Sequence, residues 1–317
     1  MWLEWHEPAG SPDRFADDSI TSDFPTLRGG AMVRVKQSTL AGRWYAGDPG
    51  QLRGQVDGLL AAAAPPALDA PLRGVLVPHA AYQYSGRAAA AAYRCVAGSG
   101  CGRVVILAPS HFSWFRGVAV LDVDAFATPL GLVPVEPGAV AALGGQPLFE
   151  ERPDAYEDEH ALEIQLPFVQ RVASGATLVP LLVGDLEVDD YEPIAETLRN
   201  FVDERTLFIV SSDFVHYGRH FHYLPFPSDG VEPVRTALQQ LDMGAIARVC
   251  DCDPTGFREY VADTGATICG RNPIALFLTM SRRRLRGTLL AYYTSLDVTG
   301  DYEHSVSYAA IAFPRPE

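Results

Sequence analysis

Short, nearly uninterrupted apolar runs recur along the chain, with helical patterns between them. Residues 74–77, 104–107, 178–183 and 207–210 are β-branched or aliphatic at almost every position, as strands covered on both faces require. Residues 289–293 and 307–313 predict two later strands. Asp48 suits a helix N-cap, with Pro49 at the first helical position and Gln51 as a capping-box partner. Leu52, Val56, Leu59 and Leu60 then share one face until Pro65 and Pro66 stop the run. A second helix is predicted from Ser85 through the alanines to Val96, ending at Gly98. A third follows the acidic run Asp154, Glu157, Asp158 and Glu159 and carries Leu162, Leu166 and Val169. Pro167 should kink it or divide it in two. Strands alternating with helices predict an α/β fold, with a mainly parallel or mixed central sheet flanked by helices.

Residues 1–33 break this pattern: they are polar, rich in Pro, Gly and Asp, and without periodicity, and read as an extended or disordered arm. Residues 34–317 contain no further linker or repeat and read as one domain. Lys plus Arg number 25 against 39 Asp plus Glu, a net charge of −14. That field repels phosphate backbones and anionic lipid, so neither nucleic acid nor a membrane surface is an expected partner. An anionic substrate must therefore meet a local group of arginines. The five cysteines form no C-x-x-C pair, which argues against a zinc ribbon or a disulfide scaffold. Cys95, Cys101, Cys250 and Cys252 read as small hydrophobes. No signal peptide or membrane-length apolar run is evident, and a cytoplasmic location is the default.

The chemistry gathers where strands end. Residues 75–77 run into Pro78-His79-Ala80, residues 104–107 into Pro109-Ser110-His111, and residues 207–210 into Ser211-Ser212-Asp213-Phe214-Val215-His216. Ligands of open α/β sheets bind outside the carboxyl ends of the strands, so His79, His111, Asp213 and His216 can converge at one edge. One such histidine would more often be structural; three loaded turns favour a shared site. Ser110, Ser211 and Ser212 allow a nucleophilic triad in composition, but no G-x-S-x-G elbow supports a hydrolase. Neutral imidazoles with one anionic ligand suit a mononuclear transition metal with positions left open. Cys269 is the candidate thiolate, with Arg271 expected to lower its pKa, although a buried free thiol is the commoner fate of such a residue. His160 and Glu163 stand three apart on the third helix. They read as orienting partners of a ligand, as a ligand pair, or as a solvated surface pair. His6, His220, His222 and His304 read as surface residues.

Taken in order, several blocks carry a family resemblance. They are AGRWY at 41–45 with Asp48-Pro49, VPHAAYQYSG at 77–86, VVILAPSHF at 104–112 and FRGVAV at 115–120. TPLG at 128–131, EHALEIQLPF at 159–168, SSDFVHYG at 211–218, TICGRNPI at 267–274 and YYTSLDVTGD at 292–301 complete the set. From about Ser38 to Phe313 the chain resembles the Memo family, also called AmmeMemoRadiSam system protein B. The resemblance implies a fold similar to the class III extradiol dioxygenases, which use nonheme Fe(II). It also implies a metal held by His79, His111 and Cys269, with Asp213 and His216 lining the site. Iron is the first expectation and copper the second. Ala81, Phe112 and Ala161 depart from the family's usual Gly, His and Ser.

The resulting expectation is a metal-dependent oxidoreductase acting on a small organic substrate with dioxygen. Asp213, His216 and His160 are its candidate catalytic groups, and Arg43 and Arg271 its candidate substrate anchors. A binding module without turnover and an Fe- or Cu-handling redox protein are the other readings. A homo-oligomer is left open.

Overall fold

The apolar runs become strands because each has two faces to bury. The computed structural model describes residues 33–68, 70–227 and 229–316. Of the arm at 1–33, residues 1–32, His6 among them, lie outside the described residues. The chain opens with β1 (Val35–Lys36), α1 (Pro49–Ala62), β2 (Leu72–Val77), α2 (Tyr82–Val96) and β3 (Arg103–Pro109). Then come β4 (Val118–Val120), β5 (Ala125–Thr128), β6 (Gly131–Pro134), α3 (Ala139–Gly144) and β7 (Phe149–Glu151). The middle holds α4 (His160–Glu163), α5 (Leu166–Val172), β8 (Thr177–Val183), α6 (Tyr191–Arg199), β9 (Thr206–Ser211) and β10 (His216–Gly218). Finally α7 (Val231–Cys250), α8 (Pro254–Thr264), α9 (Arg271–Ser281), β11 (Thr288–Thr294), α10 (Ser295–Thr299) and β12 (His304–Pro314) close the chain.

Among the described residues nine strands form one mixed sheet in the order β10-β12-β2-β9-β3-β8-β4-β7, with β11 paired to β12. Its centre, β2-β9-β3-β8, is parallel; β12 joins β2 and β4 joins β8 antiparallel. A small sheet, β1-β5-β6, stands apart.

Strand alternation sorts residues into two cores. Val75, Val104, Ile106, Leu178, Leu207 and Ile209 face α1, α2 and α5. Leu76, Val105, Leu107, Val179, Phe208 and Val210 face α6, α7 and α9. Burying a side chain of this size contributes about 1.5–3 kcal/mol, which explains why so few polar positions survive in these strands.

Asp48 caps α1 as expected, accepting from the Gln51 N–H. The second helix starts at Tyr82, one turn before the expected Ser85, because the Tyr82 N–H is held by the Trp44 carbonyl (3.0 Å). The third predicted helix divides into α4 and α5, with Pro167 in the first turn of the second piece. Among the described residues no helix is long and apolar enough to cross a membrane.

Buried Asp242 on α7 ties this core to a strand-end loop. Its carboxylate accepts from the Val215 N–H (3.1 Å) and the Tyr292 hydroxyl (2.7 Å), and burial pushes its pKa up to about 6. A carboxyl raised by folding favours the native state most below its unfolded pKa, and that contribution is lost as pH rises through the folded value. Relative to Asp242→Asn, the wild type should lose on the order of 3 kcal/mol of stability between pH 4 and pH 8. Denaturant unfolding of both proteins at each pH measures this difference, and a constant difference would contradict it.

Candidate metal centre

Strands β2, β9 and β3 are adjacent and parallel, so their carboxyl ends deliver His79, Ser211 to Asp213, and His111 to one place. His79, His111 and His160 present ligand-competent nitrogens within 4.8 Å of one another and could hold a metal ion. The His111 and His160 rings stack with centroids 4.4 Å apart, and His79 meets both edge-on. Cys269, in the turn before α9, brings its Sγ to 3.1 Å from His79 Nε2. Ligands bonded at right angles to one metal, at about 2.1 Å for imidazole and about 2.3 Å for thiolate, would lie about 3.1 Å apart.

Two of the rings, His79 and His111, are aimed by buried partners. The Ser211 hydroxyl donates to the Ala161 carbonyl (2.6 Å) and accepts from Gln165 Nε2 (2.9 Å). Its remaining lone pair accepts from His79 Nδ1 (3.0 Å), which leaves the Nε2 lone pair facing Cys269. Gln165 is itself oriented by the Tyr93 hydroxyl (2.8 Å) and the Pro78 carbonyl (3.1 Å). Glu159 accepts from both the backbone N–H (2.6 Å) and Nδ1 (2.9 Å) of His111, so Nε2 is the atom His111 can offer. Carboxylates and hydroxyls behind ligating histidines set tautomer and basicity in this way. Among the described residues His160 Nδ1 is buried without a hydrogen-bond partner, Glu159 Oε1 lying at 3.6 Å, a state that a metal ion would relieve. These residues fit a metal.

Electrostatics favour neutral, donor-ready rings at His160 and His79, whereas His111 and Cys269 are shifted upward and would each give up a proton on binding a metal. Burial, then the neighbouring His111, pushes His160 down to about 3, and burial likewise drives His79 well below the ordinary imidazole range. Burial opposes charge on His111, but Glu159 and then Cys269 outweigh it and hold its pKa high. Burial pushes the Cys269 thiol up, with His111 pulling against it. The expected lowering by Arg271 is therefore corrected: desolvation dominates, and the Arg271 side chain lines a separate cavity with Tyr191, Arg258 and Asn272.

Asp213 is buried beside the cluster, and burial pushes its carboxyl up to about 7. Its Oδ1 accepts from the His79 N–H (2.8 Å), and its own N–H donates to Cys269 Sγ (3.2 Å). His216 stacks on Phe221 and is pushed down to about 3 by burial and by His111. Its backbone is pinned at both N–H and carbonyl by the Thr267 hydroxyl. Gly270 lets this turn approach: a Cβ there would stand 2.4 Å from Ser212 Cβ.

Glu163 leaves the cluster and binds the 38–45 segment, while His160 stays within it. Arg43 is exposed on that segment, beside Trp44, whose ring packs on His160 (4.5 Å). Neither Arg43 nor Arg271 joins the hydrogen-bond network of the cluster among the described residues. Ser110, Ser211 and Ser212 donate to backbone carbonyls, which is the wrong polarity for an activated nucleophile. Sequence reasoning missed Glu159 and Gln165 as orienting groups. Glu159 adjoins His160 in sequence, which was the available signal.

An α/β sheet with imidazoles and a thiol at the ends of its parallel strands defines a protein with a buried, metal-competent centre. The Memo-like protein family model matches residues 36–312, and the chain belongs to that family. It is 31% identical to the Caenorhabditis elegans "Protein memo-1 homolog" over 316 residues, covering 96% of this chain and 89% of that protein. It is 32% identical to Xenopus laevis "Protein MEMO1" over 287 residues, 87% of this chain and 96% of that one. Against human "Protein MEMO1" the identity is 31% over 290 residues, 88% and 97% of the two chains.

Proposed function

We propose that this protein is a cytoplasmic, metal-dependent oxidoreductase, a nonheme-iron, dioxygenase-like enzyme acting on a small organic substrate. The observation that carries this reading is the meeting of His79, His111, His160 and the Cys269 sulfur at the ends of three parallel strands. His79 and His111, aimed by Ser211 and Glu159, would hold the metal with Cys269, and His160 stands as a further donor. Imidazoles with a thiolate favour Fe or Cu over Mg or Ca, with Fe(II) inferred first. Bound there, the ion would supply open positions at which substrate and dioxygen meet.

The chain's own residues shape the chemistry around that position. Asp213 Oδ1 fixes the His79 backbone, and His216 is stacked in place on Phe221 at the edge of the site. Trp44 packs against His160, and the exposed Phe112 meets the same ring edge-on.

Metal analysis after anaerobic purification tests this reading. Wild type should carry a stoichiometric amount of iron or copper, and His79→Ala and His111→Ala should carry almost none. Equal, negligible metal in all three would refute it. Oxygen consumption with catechols then separates an enzyme from a protein that only stores the metal.

A further inference from the structure

On the far side of the Cys269 turn lies a cavity of about 400 Å³, lined, among the described residues, without a single carboxylate. Its walls are apolar at Phe257, Val261, Ala262 and Ala266, and its polar groups are Arg258, Arg271, Tyr191 and Asn272. Pockets for small organic ligands span about 300–1,000 Å³. Among the described residues, several arginines of the molecule are paired with carboxylates, and these two are not. Arg116, Arg152, Arg171, Arg199 and Arg235 each bind a carboxylate, as expected in a chain of net charge −14. Among the described residues, Arg258 and Arg271 form no ion pair; Arg258 lies over the Tyr191 ring at 4.8 Å. Of the two acids whose field reaches Tyr191, Asp185 and Asp190, the latter is already bound by Arg116.

The polar wall is rigid. The Tyr191 hydroxyl donates to Asn272 Oδ1 (2.9 Å), and Asn272 Nδ2 donates to the Gly184 carbonyl (2.8 Å). The 11-residue helix α9 begins here, so its first N–H groups add positive potential at the end where Arg271 stands.

We propose that this cavity is a second binding site, for a small organic anion with a carboxylate or phosphate head and an apolar body. Arg258 and Arg271 take the head through charge-assisted hydrogen bonds, and Val261 and Ala262, backed by the buried Phe257 and Ala266, take the body. The apolar wall distinguishes this ligand from a bare inorganic ion. The assignment is independent of whether the histidine cluster holds a metal.

Calorimetric titration of the full chain with phenyl phosphate, benzoate, benzyl alcohol and inorganic phosphate tests it. At least one of the two aromatic anions should bind, benzyl alcohol should not, and inorganic phosphate should bind more weakly than phenyl phosphate. The stronger aromatic anion identifies the head group. Arg258→Ala with Arg271→Ala should weaken binding by about thirtyfold or more, at the scale of two charged hydrogen-bonded contacts. Ala262→Trp, which fills the cavity and keeps both arginines, should abolish it; His111→Ala should leave it within twofold. No binding of either aromatic anion would overturn the proposal. So would binding unchanged in the arginine and Ala262 variants, or binding lost in His111→Ala.

Discussion

Glu163→Ala should lower the thermal unfolding midpoint by about 5–15 °C, the scale of losing a few kcal/mol in a chain of this size. The buried Glu163 carboxylate accepts from the Ser38 hydroxyl (2.7 Å), the Thr39 N–H (2.9 Å) and hydroxyl (3.1 Å), the Leu40 N–H (3.0 Å) and the Tyr45 hydroxyl (2.6 Å). Exposed Thr39 can turn to water when the carboxylate goes. The buried Leu40 N–H cannot, and an orphaned buried donor costs about 1–3 kcal/mol, while the buried Tyr45 hydroxyl loses its charged acceptor and keeps only the Ser38 hydroxyl at 2.9 Å. By contrast, an exposed pair such as Arg282–Glu196 is worth about 0–1 kcal/mol. The same loss should free Trp44 from His160, so tryptophan fluorescence should change under native conditions. A midpoint within about 2 °C of wild type would contradict this account.

The strands that frame the site were legible because burial on both faces left them no polar freedom. β2, β3, β8 and β9 all contain the apolar runs that predicted them. The turns after β2, β3 and β9 were legible for the complementary reason: a histidine or aspartate directly after such a run lies at the sheet's carboxyl edge. Spacing did not reveal which acid serves which ring. Glu159 and Glu163 stand four apart on the same short segment, yet one turns to His111 and the other to the 38–45 segment. Pairing of that kind depends on elements more than a hundred positions away for Glu163 and nearly fifty for Glu159. Arg271 shows the same limit in reverse. Two residues from Cys269, it seemed placed to act on the thiol, but the first turn of α9 carries its side chain into the cavity beside Tyr191. Helix α8 escaped the reading because the Asp251, Asp253 and Pro254 run that caps it resembles a loop signal.

Glu159→Gln is the substitution expected to disable the metal centre with the least change of shape. Glu159 accepts from three donors: His111 N–H, His111 Nδ1 and the Ala161 N–H (2.9 Å). A glutamine offers one accepting oxygen and one donating nitrogen, so at least one former donor faces another donor. With the amide nitrogen at the Oε2 place, the clash falls on the His111 backbone N–H and displaces the ligand's backbone. With it at the Oε1 place, it opposes the Ala161 N–H and Nδ1, and the imidazole relieves its own share by moving its proton to Nε2 and accepting at Nδ1. That tautomer turns an N–H, rather than a lone pair, toward His79 and His160. Metal affinity should fall by about 10–100-fold, the usual cost of removing the group behind a ligand histidine. Glu159→Asp keeps an acceptor-only head and should retain more metal than the amide. Competition with a chelator measures the affinity, and nitrogen chemical shifts of His111 in the metal-free protein report the tautomer. Wild-type affinity in the glutamine variant, with Nδ1 still protonated, would show that Glu159 does not orient the ligand.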